Sequence, residues 1–316
     1  MNVSNSVENL RKSPYDVAVI GAGVVGCCTA RELARFDLDI VVLEAGTDIA
    51  CGATRANSGV VHAGYDPQPG SAKARYNVAG AALYPQWQRE LGFAYYKNGA
   101  LVVAYSEEEL AVLHDLLERA RANGVQNISI IGRKELSGLE PNVSPDAVAA
   151  LNVPESGICD PYGITFGAAE NAAANGVEFL LDHRVTAIKR RTEGYEITAA
   201  GESVFARAVV NAAGVYADEM NNMVSARKIT IQPRRGEYHL FENTLRMFSH
   251  TMFQVSNEGS KGVLATPVVF GNLILGPNSV SQDSKEDLST TADGLAEVLH
   301  GNGLKYVGLK DRVGRG

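Results

Sequence analysis

Residues 15–44, YDVAVIGAGVVGCCTARELARFDLDIVVLE, constrain the fold more than any other part of the chain. A short apolar run (15–20) leads into Gly21, Gly23 and Gly26, spaced G-x-G-x-x-G, and then into a segment of helical spacing (24–36). That spacing predicts Val25, Cys28, Leu33 and Phe36 on the inward side of the helix. A second apolar run (38–44) ends at Glu44. Strand, glycine turn, helix and strand in this order form a βαβ unit with parallel strands and a right-handed crossover. Each glycine has a mechanical reason. Gly21 permits the tight turn, Gly23 lets the backbone approach a pyrophosphate, and Gly26 lets helix and strand pack closely. The helix N-terminus offers amides and a positive dipole end to the phosphates. Glu44, 23 residues beyond Gly21, is positioned to accept hydrogen bonds from a ribose diol and to repel a 2′-phosphate. Val25 and Ala45, beside these groups, complete the expected nucleotide contacts. NADP is disfavoured, and both NAD and FAD fit this much of the chain.

The next run, CGATRANSGVVHAGYDPQPGS (51–71), separates the two. It is too glycine-rich for a helix and too small-sided for core. Gly52, Thr54, Arg55, Asn57, Ser58 and Gly59 combine close backbone approach with hydroxyl and amide donors, which suits a second set of phosphate and ribitol contacts. An NAD-type unit would pass from its acid into another crossover helix. A cofactor that extends past the pyrophosphate, as FAD does, needs such a loop.

Further on, a helix is expected over 71–91 with an interruption at Pro85, and a strand over 99–106. Ser106 and Glu109 form a capping box for a helix ending at Gly124. A helix closing near Gly176, several strands including KITIQPRRGEYHLFE, and a hairpin turning at Gly271-Asn272 complete the pattern. Early α/β followed by β-rich material indicates two interleaved units.

A net charge of −7 gives no reason to expect nucleic acid or an anionic membrane as partner. Four cysteines (Cys27, Cys28, Cys51, Cys159) include no metal-ligand spacing, so no metal is expected, and they read as small core residues of a reducing compartment. The polar N-terminus lacks a signal-peptide core, and no apolar run is long enough to span a bilayer. The expected location is the cytoplasm, with peripheral attachment at the inner face of a membrane as the alternative.

YDVAVIGAGVVG, VVLEAG, CGATRANSGVVHAG, PGSAKARYNVAG, AVVNAAGVYAD and PRRGEY together resemble the D-amino-acid-oxidase-like superfamily of FAD-dependent oxidoreductases. Within it, the branch of glycerol-3-phosphate dehydrogenases and L-2-hydroxyglutarate oxidases is the most similar, from about Tyr15 to about Leu299. The resemblance implies an α/β fold: a Rossmann-like FAD-binding domain (15–85 and 150–220) interleaved with an α+β substrate domain on an antiparallel sheet (86–149 and 221–290). Residues 1–14 and 300–316 are expected to be poorly ordered tails. It also implies that Ala212, Ala213 and Gly214 lie close to FAD, that Val185 lies against the adenine through its backbone, and that Asp218 begins the next helix.

The reaction so implied is hydride transfer from a small anionic hydroxy compound, glycerol 3-phosphate or a 2-hydroxy acid, to flavin N5. The protein orients the substrate, anchors its anion and accepts a proton. Arg234 and Arg235 supply a fork for carboxylate or phosphate beside Tyr238. Strand neighbours face opposite ways, so one arginine at most serves the pocket, and Arg235 is favoured. His62 is preferred over His239 and His250 as proton acceptor because its loop is expected to run along the flavin. The electron acceptor (quinone, oxygen or an iron–sulfur partner) stays open. Relatives continue beyond this length into a segment that completes the flavin pocket, so the chain reads as C-terminally truncated. A non-catalytic FAD-binding fragment and an NAD-dependent dehydrogenase are the alternatives.

Overall fold

The computed structural model describes residues 14–242, 247–255 and 263–300, with the side chain of His300 excepted. The two expected tails therefore fall almost entirely outside the described residues. From the N-terminus the elements are β1 (Tyr15–Ile20), α1 (Val24–Leu33), β2 (Ile40–Leu43), β3 (Val60–Val61), α2 (Ala72–Leu91), β4 (Tyr95–Tyr96) and β5 (Ala100–Ala104). Then come α3 (Glu107–Ala122), β6 (Ser129–Gly132), α4 (Arg133–Leu139), β7 (Ala149–Val153), β8 (Gly157–Cys159), α5 (Pro161–Ala174), β9 (Glu178–Leu180) and β10 (Val185–Arg191). The remainder is β11 (Gly194–Ala199), β12 (Glu202–Asn211), α6 (Ala217–Val224), β13 (Arg234–Arg235), β14 (His239–Phe241), β15 (Thr251–Gln254), β16 (Leu264–Pro267), β17 (Leu273–Gly276), β18 (Val280–Ser281) and α7 (Ala292–His300).

Two large sheets organise these elements. The first has the order β10-β11-β12-β1-β2-β9, with β12, β1, β2 and β9 parallel. Residues alternate along β1, so Val17 and Val19 pack with Cys27 and Ala30 of α1 and Ala168, Ala169 and Ala172 of α5. Ala18 and Ile20 face the other way, into a core with Ile197, Val204 and Met220. The second sheet runs β14-β17-β16-β15-β5-β7-β6, antiparallel except where β15 pairs with β5. Leu113 and Leu117 of α3 cover one face, and Leu136 of α4 and Val298 of α7 cover the other. A small sheet of β3, β8 and β4 lies between these parts of the sequence, and β13 pairs with β18.

The βαβ unit forms as expected, and Cys28 and Leu33 pack partly against its core, but Val25 and Phe36 do not. Gly26, Cys27 and Ala30 are buried, whereas Val25 is 64% and Phe36 67% exposed. The innermost positions of α1, against β1 and α5, take small side chains, and this overrides hydropathy at Val25. Helix α2 runs through Pro85 without a break. One lost N–H bond is outweighed there by packing of the flanking Tyr84 and Trp87 against the core around Phe93 and Tyr95. The predicted strand over KITIQPRRGEYHLFE is only two short pieces, β13 and β14, parted at Gly236–Tyr238. Ser106 caps α3 by accepting from Glu109 N (3.2 Å), and the Glu109 carboxylate accepts from Tyr105 N (2.6 Å). The hairpin turns as predicted, with Val268 N donating to Asn272 O (2.8 Å).

Candidate functional site

The glycine turn is built by close contact. Gly21 adopts φ +102°, and a Cβ on it would stand 2.5 Å from Ala212 O. On Gly26 a Cβ would stand 1.8 Å from Gly21 O, so only hydrogen fits between turn and helix. On Gly23 a Cβ would stand 3.2 Å from Thr54 Oγ1, so the second loop closes on the turn at that position. Ala212 N donates to Ile20 O (2.9 Å), so Ala212, Ala213 and Gly214 follow β12 directly beside the fingerprint. Glu44 also arrives there: its carboxylate accepts from Ala22 N and from Gly46 N, both at 2.7 Å. His183 N donates to Glu44 O (2.7 Å) and Asp182 N to Gly46 O (2.9 Å), which brings the start of β10, and with it the buried Val185, next to the acid. Ala45, next to Glu44, and Val25, in the first turn of α1, are both exposed.

The 51–71 run divides in two. Its first half wraps the glycine turn, where Thr54 Oγ1 accepts from Val24 N (3.0 Å) and caps α1 from 30 residues away. Asn57 folds this half onto itself, donating to Thr54 O (2.8 Å) and accepting from Gly59 N (2.8 Å). Gly59 (φ +65°) presses on β8, where a Cβ would stand 2.5 Å from Cys159 O. The second half does enter a core, contrary to the reading of its side chains as too small: Ala63 and Tyr65 pack on the seven-stranded sheet with Phe253. Half-buried His62 sits at the crossing, its ring 5.8 Å from that of Phe253. Tyr238, just before β14, hydrogen-bonds Ser58, and burial pushes its phenol above the ordinary value despite that bond. The 51–71 loop therefore meets the seven-stranded sheet and the residue before β14 at Ser58, His62, Tyr238 and Phe253.

Arg234 is exposed and Arg235 half-buried, the alternation expected of a strand. Arg235 is, however, engaged within the chain: Nη1 donates to Asp287 (2.6 Å) and Ser289 (2.9 Å), and Nη2 to Glu237 (3.1 Å). The other two histidines have structural partners. His250 Nδ1 lies 2.7 Å from buried Glu140, and His239 Nε2 lies 2.9 Å from Leu295 O. Cys27 and Cys159 are buried, and burial pushes both thiols up to about 12 and that of Cys28 to about 11, so none is a reactive thiolate. Cys51 is only partly buried. A cavity of about 570 Å³ lies elsewhere, between Ser71, Arg75 and Tyr76 of the start of α2 and Asn123, and no predicted site residue lines it. The trans cap from Thr54, the Phe253 contact and the Arg235 ion pairs had no local sequence signal, because each joins residues far apart in the chain. Among the described residues no cluster of His, Cys, Asp and Glu could hold a metal ion, and no helix is long and apolar enough to cross a membrane.

A parallel sheet with a glycine turn at its C-terminal edge, an acid on the second strand and a second loop over the helix N-terminus defines a dinucleotide-binding α/β protein. The model of the family "FAD dependent oxidoreductase" (DAO) matches residues 16–307, and the chain belongs to that family. Its cofactor is FAD, which closes the choice between FAD and NAD. The chain is 39% identical over 286 residues to a glycerol 3-phosphate dehydrogenase of Caloramator mitchellensis, covering 90% of this chain and 60% of that protein. It is 32% identical over 311 residues to an L-2-hydroxyglutarate dehydrogenase of Salmonella houtenae (95% and 72% covered). The dithionite-reduced L-α-glycerophosphate oxidase of Mycoplasma pneumoniae with FAD bound superposes with a TM-score of 0.85 at 31% identity, covering 91% of this chain and 77% of that one.

Proposed function

We propose that the chain oxidises the CH–OH group of a small anionic hydroxy compound, glycerol 3-phosphate or a 2-hydroxy acid such as L-2-hydroxyglutarate. In this reading the six-stranded sheet carries the cofactor and the seven-stranded sheet the substrate. The observation that supports it most is the meeting of the 51–71 loop with Tyr238 and Phe253 at His62. Names of the relatives on both substrate types support the substrate class. When bound, FAD supplies the hydride acceptor, and every other part falls to the chain's own groups. Gly21, Gly23, Gly26 and the first turn of α1 hold the pyrophosphate, with Val25 alongside. Glu44 and Ala45 meet the ribose, Val185 the adenine, and Thr54, Asn57, Ser58 and Gly59 shape the wall toward the flavin, opposite Ala212, Ala213 and Gly214. His62 accepts the hydroxyl proton at an imidazole nitrogen, and Tyr238 orients the substrate oxygen. Arg235, with two carboxylates on it, is held within the chain instead of meeting the anion itself.

The test is anaerobic. Adding glycerol 3-phosphate or L-2-hydroxyglutarate to the FAD-loaded chain should bleach its absorption near ~450 nm. The His62→Asn variant should bind FAD as before and bleach about 10²–10⁴-fold more slowly. A chain that takes up no FAD, or one that neither compound bleaches, overturns the proposal.

A further inference from the structure

Segment 282–291 links the 233–237 stretch to α6. At one end Gln282 N donates to Pro233 O (3.2 Å), and at the other Thr291 N and Thr291 Oγ1 donate to the buried carboxylate of Glu237. Asp287 and Ser289 accept from Arg235. These contacts fasten the segment to β13 and the residues on either side of it. Lys285 in its middle points the other way. Its ammonium donates to Asp218 (2.5 Å) and Glu219 (3.1 Å) on α6, and lies 5.5 Å from the centre of the Tyr216 ring. Tyr216 closes the 3₁₀ turn Gly214–Tyr216, which follows Ala212 and Ala213 without a gap. One side chain therefore grips the stretch that leads from the cofactor edge of β12 into α6.

The burial of the groups makes this grip matter. The Lys285 side chain is 16% exposed and that of Asp218 only 8%. The second oxygen of Asp218 accepts from Ile231 N (2.9 Å), so the carboxylate is fixed from two sides. Removing the ammonium leaves a shielded carboxylate without its counter-charge, a loss larger than that of a surface pair. The segment does not depend on Lys285 for its own shape. Gln282 Nε2 donates to Ser284 O (2.8 Å) and Asp287 O (3.0 Å), and Glu286 N donates to Ser284 Oγ (3.1 Å).

Resting on the FAD-dependent reading above, we propose that Lys285 is a positioning residue that holds the 212–219 stretch in the conformation the cofactor requires and couples it to the substrate wall through Asp287 and Arg235. It touches neither cofactor nor substrate. Its effect reaches the reaction through the turn it holds.

Two readouts test this. Titration of the cofactor-free chain with FAD, followed by flavin fluorescence, should give a dissociation constant about tenfold higher for Lys285→Met, with Lys285→Arg regaining most of the loss. Hydrogen exchange of the 212–219 amides, measured without FAD, should be faster in Lys285→Met and near wild type in Lys285→Arg. This second readout stands even if the wild-type chain takes up no FAD, a result that would overturn the proposed function alone. The positioning role is overturned if exchange at 212–219 is unchanged in Lys285→Met. It is equally overturned if FAD binds that variant as tightly as the wild type, or if Lys285→Met and Lys285→Arg lose FAD affinity and melting temperature alike.

Discussion

The two sheets of this molecule are specified in different ways. In the six-stranded sheet, β1, α1 and β2 lie within 29 residues of one another, and steric rules that act locally fix their arrangement. At Gly26 the excluding atom is Gly21 O, five residues earlier, whereas Gly21 is held to glycine by its φ of +102° as well as by Ala212 O beyond β12. In the seven-stranded sheet, β15 lies between β16 and β5, and β5 comes from about 150 residues earlier in the chain. Its order is set by anchors of long sequence separation, such as Glu140 with Ser249 and His250. Local steric constraint leaves a motif in the sequence, whereas a long-range polar anchor leaves an ordinary glutamate and an ordinary histidine.

Substitutions that break one kind of constraint at a time sharpen this contrast. The largest effect is expected at Gly26→Ala, where the new methyl would meet Gly21 O at 1.8 Å. A loss exceeding about 4 kcal/mol and failure to retain FAD should follow, read by circular dichroism and flavin absorbance. Gly138→Ala in α4 serves as the control, since nothing lies within 4 Å of a Cβ there, and it should lower neither reading. Equal damage from the two would remove the local steric argument.

Next comes Glu140→Gln. One buried oxygen accepts from Ser249 N (2.8 Å), His250 N (2.7 Å) and His250 Nδ1 (2.7 Å), and the glutamate side chain is 1% exposed. Losing the charge-assisted bonds should cost about 2–3 kcal/mol in urea unfolding, with FAD affinity of the folded chain kept. A parallel loss of FAD affinity would show that the two sheets are not separately specified.

The smallest effect concerns Glu237 and acid. Burial alone would raise its carboxyl, but hydrogen bonds from Thr291 and the charge of Arg235 outweigh that and hold it below the ordinary 4.5. A depressed folded value contributes stability that is full above the unfolded value and lost as pH falls through the folded one. Between about pH 6 and pH 3 the wild type should lose about 2–4 °C of melting temperature more than Glu237→Gln does. Parallel curves for the two would mean that the contact of Glu237 with the start of α7 contributes no such linkage.

How much of this was legible in advance varies from residue to residue. The βαβ unit, its three glycines and Glu44 could be read directly, because close backbone approach dictates residue type. For α1 the sequence was half right: Cys28 and Leu33 pack against the core, whereas Val25 is exposed because the tight contact with β1 and α5 selects Gly26 and Ala30, and Phe36 lies beyond the helix end. Arg235 showed a guanidinium at a plausible place in the pattern, but nothing in PRRGEY announces that Asp287, 52 residues later, would occupy it. His62 could be picked out as the histidine of the cofactor loop, though its packing against Phe253 could not.

The sequence by itself determined that the chain binds an extended dinucleotide, since turn geometry, helix dipole and acid spacing act within a single βαβ unit and the loop after it. Only the tertiary structure decided which distant groups meet around that unit. It brought Tyr238 to Ser58, set Phe253 beside His62, and turned Lys285 onto Asp218 and Glu219. The physical reason is range. A backbone contact of a few ångströms can be satisfied by few residue types, while a salt bridge or ring contact between distant segments is satisfied by many and depends on where the fold delivers them.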